Sequence, residues 1–130
     1  MTVEHNAARI RGAYDAFARA DIAALADVFD EDIVWHYPGN SPLSGDHKGR
    51  DDVLGFLSQF MVLTGGTYRA KLRQVMANED HASGWANDVA TRDGKSLDVN
   101  AVVVFQMSEG RVIEAWHYFD DLAALDDFWS

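Results

Sequence analysis

The chain contains no cysteine, which excludes a disulfide framework, a thiolate metal site and a cysteine nucleophile, and fits a reducing compartment. Basic residues are scarce: 11 Lys and Arg stand against 21 Asp and Glu, a formal net charge of −10. The acids are spread along the chain rather than gathered in a tail, so phosphate backbones and anionic lipid surfaces are repelled. Neither nucleic acid nor a membrane is expected as a partner. No apolar run approaches the ~20 residues needed to span a bilayer, and the first residues lack a basic start followed by an apolar block. The chain reads as cytoplasmic. Motifs are missing as well. Gly65-Gly66 follows a helical pattern and is not succeeded by Lys-Ser/Thr, no serine elbow occurs, and the five histidines show none of the short spacings of metal ligands. Neither a metal nor a cofactor is expected.

What is present is a chain of 130 residues, 48% hydrophobic, enough for the core of one domain spanning residues 1–130 and too short for two. Val3, Ala7, Ile10, Tyr14 and Phe17 recur at helical spacing behind Thr2, a suitable N-cap. Asp21 caps a second, shorter helical pattern through Ile22, Leu25, Val28 and Phe29. Ile33 to Tyr37 reads as a short strand stopped by Pro38-Gly39. Residues 40–48 look loop-like, and Asp51-Asp52 open a third helix carrying Val53, Phe56, Leu57 and Phe60. The period then changes to two: Tyr68–Met76, His81–Thr91, Leu97–Met107 and Arg111–Phe119 are separated by turn residues, among them Asp93-Gly94 and Glu109-Gly110. This predicts an antiparallel meander whose long strands curl into a trough, three N-terminal helices covering its concave side around a pocket. A last helix with Leu122, Leu125, Phe128 and Trp129 inward closes the chain.

The final strand is covered on both faces, since it alternates aromatic and apolar residues without a polar side. Asp120 follows it. A carboxylate at the mouth of an apolar pocket has its pKa raised by desolvation and exchanges protons near neutrality, whereas an Asp before a helical pattern also serves as an N-cap, a role open to Asp120 or Asp121. His117 and His36 lie in strands among aromatics, where an imidazole suits acid/base work. Their facing depends on parity: either Trp116, Tyr118 and Asp120 point into the pocket, or Ala115, His117 and Phe119 do. His47 reaches toward the pocket from its loop, and Tyr14 offers a phenol to a ligand carbonyl. Trp35, Tyr37, Phe56, Phe60, Trp85, Phe105 and Trp116 supply aromatic wall, suited to a flat, hydrophobic, even polycyclic ligand.

Phe29-Asp30-Glu31-Asp32-Ile33-Val34-Trp35-His36-Tyr37-Pro38-Gly39, Gly45-Asp46-His47-Lys48-Gly49-Arg50, and Gly110 through Asp120 together resemble the SnoaL-like branch of the nuclear transport factor 2-like superfamily, related to polyketide cyclases and ketosteroid isomerases. The resemblance spans the whole chain. It implies an α+β, cone-shaped fold with a strongly curved, mostly antiparallel sheet, a small hydrophobic ligand, no cofactor, and a homodimer through the outer sheet face. Against ketosteroid isomerase, Tyr37 stands where the aspartate base lies and Val103 where the protonated oxyanion-hole aspartate lies, while Tyr14 matches the oxyanion tyrosine; that isomerase mechanism is therefore not expected. Asp120 matches the acid/base aspartate of SnoaL-like cyclases. The resemblance thus implies Asp120 and Tyr14 as catalytic groups, to which the residue chemistry adds His117 and His36, with Trp35, Tyr37, His47, Phe56, Phe60, Trp85, Val103, Phe105, Trp116 and Tyr118 expected around the substrate. The reaction implied is a cyclisation, isomerisation or dehydration of a small hydrophobic carbonyl or polyketide-like compound. A binding or dimerisation module of the same fold is the alternative.

Overall fold

The computed structural model describes residues 2–130. Helix α1 (Val3–Ala18) starts where the Thr2 hydroxyl accepts the backbone N–H of His5, and α2 (Ile22–Val28) where the Asp21 carboxylate accepts that of Ala24. Both caps satisfy amide donors that the first turn leaves free. The chain passes from α2 directly into β1 (Phe29–Tyr37), so Phe29 begins a strand rather than ending a helix, and β1 is four residues longer than its apolar run suggests. The stretch expected to be loop contains a short strand, β2 (Gly45–Lys48), paired antiparallel with β1. Helix α3 (Arg50–Leu63) follows Gly49, with Asp51 and Asp52 in its first turn, where carboxylates oppose the helix dipole.

The second half is the expected meander: β3 (Arg69–Ala77), β4 (His81–Arg92), β5 (Lys95–Ser108) and β6 (Arg111–Phe119), each antiparallel to its neighbour. At the β4–β5 and β5–β6 turns both central residues have positive φ: Asp93 (49°) with Gly94 (77°), and Glu109 (51°) with Gly110 (77°). Such turns match the twist of the strands they join. β1 then pairs in parallel with β6, so the six-stranded sheet runs β2-β1-β6-β5-β4-β3. Irregular registers in β1, β3 and β5 bend a sheet already made of long strands.

Among the described residues four helices accompany this sheet, α1 against β3 and β4, α2 and α3 over β1, and α4 (Leu122–Trp129) against β5. The cover is therefore not only N-terminal. Leu125, Phe128 and Trp129 of α4 are buried, but Leu122 is exposed, because it occupies the first turn beside the cap. The inner sheet face is read along β5 as Leu97, Val99, Ala101, Val103, Phe105 and Met107, all buried. Among the described residues no helix is long and apolar enough to cross a membrane.

Candidate functional site

Between the sheet and helices α1 to α3 lies a cavity of ≈ 60 Å³. Its wall is almost wholly apolar, with Phe17, Phe29, Trp35, Phe60 and Phe105 as the large faces and Ala13, Ala86 and Ala101 leaving the space. A cavity of about 150 Å³ accommodates a benzene ring. The space here is less than half of that, so a small acyclic ligand fits, whereas a polycyclic one requires wall side chains to move.

Four polar side chains border this space: Asp88, Tyr68, Tyr14 and His117. Asp88, on the inner face of β4, is 3% exposed. The Tyr68 hydroxyl donates to its Oδ2 at 2.5 Å, while Oδ1 is buried without any hydrogen-bond partner among the described residues. Burial pushes this carboxyl up to about 6, against the smaller opposing effect of the Tyr68 bond. Tyr68 is held by the face of Trp129, stacked at 6.1 Å, and by the edge of Phe17. Tyr14 reaches the cavity from α1, its phenol pushed well up by burial and then by the nearby Asp88 charge, so it stays a neutral donor. Its ring lies against the backbone of Gly84, where an added Cβ would sit 2.4 Å from the hydroxyl oxygen. Glycine is what leaves room for the phenol.

His117 lies opposite Val103 on the inner face of β6. It stacks on Phe119 at 4.6 Å, and the indole N–H of Trp35 donates to its Nδ1 at 3.4 Å. With no charged partner to offset burial, the imidazole is pushed down to about 3 and remains neutral.

The facing of β6 is thereby decided: Ala115, His117 and Phe119 pair with Phe105, Val103 and Ala101 on the inner side, and Trp116, Tyr118 and Asp120 point outward. This corrects the expected position of Asp120. Its carboxylate is exposed on the outer face, accepting from the backbone N–H of Asn100 at 2.9 Å and the Asn100 amide at 3.0 Å. The helix cap is the next residue, Asp121, whose side chain accepts the Ala124 N–H. His36 also faces outward, where Nδ1 meets Asp46 at 2.6 Å, Nε2 meets Glu114 at 2.5 Å, and the ring stacks on Trp116. Glu114 foremost, then Asp46, raises its pKa. Trp85 lies outside too, with the Arg73 guanidinium 5.9 Å from its ring.

Of the remaining expected residues, Trp35, Phe60, Val103 and Phe105 line the cavity with Tyr14 and His117. Tyr37 and Phe56 belong to the core behind it, the Tyr37 hydroxyl accepting from the Trp129 indole at 3.0 Å. His47 stacks on Phe56 at 3.9 Å and bonds the Leu43 carbonyl through Nε2, away from the cavity lining. Asp88 and Tyr68 carry no motif. Parity is the one signal that finds Asp88: the inward positions of β4 read Ala82, Gly84, Ala86, Asp88 and Ala90. A lone carboxylate in a row of small residues has space in front of it. Among the described residues no three His, Asp or Glu side chains are grouped to hold a metal ion.

Comparison with known proteins agrees with this architecture. The model of the SnoaL-like domain matches residues 10–115. An uncharacterized protein of Mycobacterium tuberculosis is 31% identical over 134 residues, covering 100% of both chains. The structure of Bal32a, from a soil-derived mobile gene cassette, is similar with a TM-score of 0.96 at 40% identity, over 98% of each chain. An NTF2-like protein from Burkholderia xenovorans shares the fold alone, with a TM-score of 0.84 at 19% identity over 100% of this chain and 99% of that one.

Proposed function

The chain belongs to the SnoaL-like domain family, and from that premise we propose that its cavity performs cofactor-free acid/base chemistry on a small hydrophobic carbonyl compound, with Asp88 as the base. One observation carries the reading: a carboxylate buried in an apolar, aromatic-walled cavity keeps one oxygen free of any partner among the described residues. A pKa of about 6 leaves Asp88 largely ionised at neutral pH, yet basic enough to accept a proton. The step is a proton transfer. The C–H bond next to a carbonyl breaks, the proton goes to Asp88 Oδ1, and the electron pair moves into the carbonyl to give an enolate. Return of the proton at another carbon is an isomerisation; attack of the enolate carbon on a second carbonyl is a cyclisation. Tyr68 holds Oδ2 and so aims the other oxygen at the ligand.

Small acyclic ketones in D2O test this, acetone and butanone matching the acyclic ligand that the cavity fits. The protein is expected to catalyse deuterium incorporation at the α-carbon, followed by proton NMR, and Asp88→Asn to lower the rate by roughly a hundredfold or more. Binding of the ketones with no exchange above the buffer rate would instead identify a binding module of the same fold.

The partner expected from the resemblance is a second copy. The outer face supports it: Trp85 (41% exposed), Val102 and Tyr118 (56% exposed) form one row across β4, β5 and β6. Aromatic side chains in such a row are the composition of a protein interface.

A further inference from the structure

We infer that His117 is a second catalytic group of this site, a neutral Nε2–H donor to the ligand carbonyl, and that Trp35 is the positioning residue that sets its tautomer. The inference rests on the reading of Asp88 as the base, but the tautomer itself does not.

The argument begins with hydrogen-bond inventory. An indole N–H only donates, so the ring nitrogen it addresses must be an unprotonated acceptor. Trp35 Nε1 addresses Nδ1. A neutral imidazole has one proton, which is then on Nε2. The bond to Trp35 is the one hydrogen bond the His117 ring makes among the described residues, and His117 borders the cavity. Its Nε2–H is thus the donor left for a ligand.

Packing prevents other arrangements. Phe119 is parallel to the ring, Tyr37 meets it edge-on at 5.2 Å, and Trp35 is tilted against it at 5.9 Å. The two groups that hold the ring from β1, Trp35 and Tyr37, flank His36, which points the other way. Rotation of the imidazole by half a turn would put Cδ2–H where Nδ1 stands and leave the Trp35 N–H without its acceptor.

The chemical consequence follows from where charge develops. Asp88 gains a proton while negative charge grows on the carbonyl oxygen of the ligand. A fixed donor in a dry site stabilises that oxygen without reorganisation of solvent. Because the ring is neutral and weakly basic, it gives a hydrogen bond rather than its proton, and the enolate is not quenched on oxygen. A carboxylate at Nδ1 would make the same ring a proton acceptor; an indole N–H makes it a donor only.

Two measurements decide this. Long-range proton–nitrogen correlation NMR on protein with 15N-labelled histidine, without ligand, should show His117 as the Nε2–H tautomer from pH 5 to 8, and Trp35→Phe should convert this to a mixture. An Nδ1–H tautomer or an imidazolium at pH 7 would overturn the assignment. With carbonyl-13C acetone at saturating concentration, the bound carbonyl resonance should move downfield, keep that shift in Asp88→Asn, and lose it in His117→Phe. In Trp35→Phe the α-deuteration rate is expected to fall about tenfold and in His117→Phe about a hundredfold. A carbonyl shift unchanged in His117→Phe removes His117 from the site while leaving Asp88 in place; loss of exchange in Asp88→Asn with the shift intact supports both.

Discussion

His36 and His117 sit on neighbouring strands of one sheet and have opposite electrostatics. Two carboxylates favour the charged form of the first on the outer face, whereas aromatic rings and an indole surround the second, whose neutral form is favoured inside. Asp88 is the anionic counterpart of His117, a buried group whose charged form is disfavoured. Their effects on stability have opposite signs. The folded state binds a proton on Asp88 more tightly than the unfolded chain, so between the ordinary aspartate range and about 6 stability falls as pH rises, by about 3 kcal/mol in all. For His117 the unfolded chain takes the proton first, so between about 3 and 6.5 stability rises with pH. In wild-type protein the two slopes oppose each other between about pH 4 and 6. Urea unfolding should therefore show Asp88→Asn gaining stability with pH more steeply than wild type across this window, the curves becoming parallel above about pH 7. Curves parallel throughout would mean that Asp88 is not charged in a dry site.

At the scale of elements, the weakest piece is β2. It is a four-residue edge strand whose other neighbour is solvent, and edge strands this short contribute few ladder bonds. His36 straps it: the imidazolium bonds Asp46 on β2 and Glu114 on β6 from its place on β1. Solvent screens such half-exposed pairs, which therefore govern local opening rather than global unfolding. The raised pKa of His36 means that the strap is complete below its titration and loses one charge-assisted bond above it. Amide hydrogen exchange within 46–48, corrected for its intrinsic pH dependence, should accelerate as pH rises through that titration, and His36→Gln should show the fast rate at both ends. A global unfolding temperature that drops with the same pH dependence in β2 and the β4–β5 core alike would contradict a local strap. Periods, caps and turns of the elements were legible in sequence: Thr2, Asp21, Asp93-Gly94 and Glu109-Gly110 all act where local chemistry puts them. β2 was not, because Gly45-Asp46-His47-Lys48 has no apolar alternation and becomes a strand only by pairing with β1.

For the whole molecule, the two faces of the sheet divide the work. The inner face, with its small residues on β4 and apolar residues on β5, makes room for a ligand; the outer face collects Trp85, Trp116 and Tyr118. Light scattering with size-exclusion chromatography should find a dimer, converted to monomer by Tyr118→Glu, while α-deuteration of acetone by that monomer stays within about threefold, since Tyr118 lies on the sheet face away from the cavity. A monomeric wild type would leave the outer aromatic row without that explanation. Composition, element order and the meander with a helical cover were determined by the sequence alone, because periodicity and turn chemistry act over a few residues. Which acid is buried was decided only by the tertiary structure. A strand has two parities with equal local merit, and the choice for β6 depends on register with β5 and parallel pairing with β1, a contact across some eighty residues. That choice turns Asp120 to solvent and His117 to the cavity. Asp88, one residue of an alternating strand, becomes the buried carboxylate because Tyr68 and Tyr14 converge on it from elsewhere in the chain, Gly84 of its own strand making room for the Tyr14 ring.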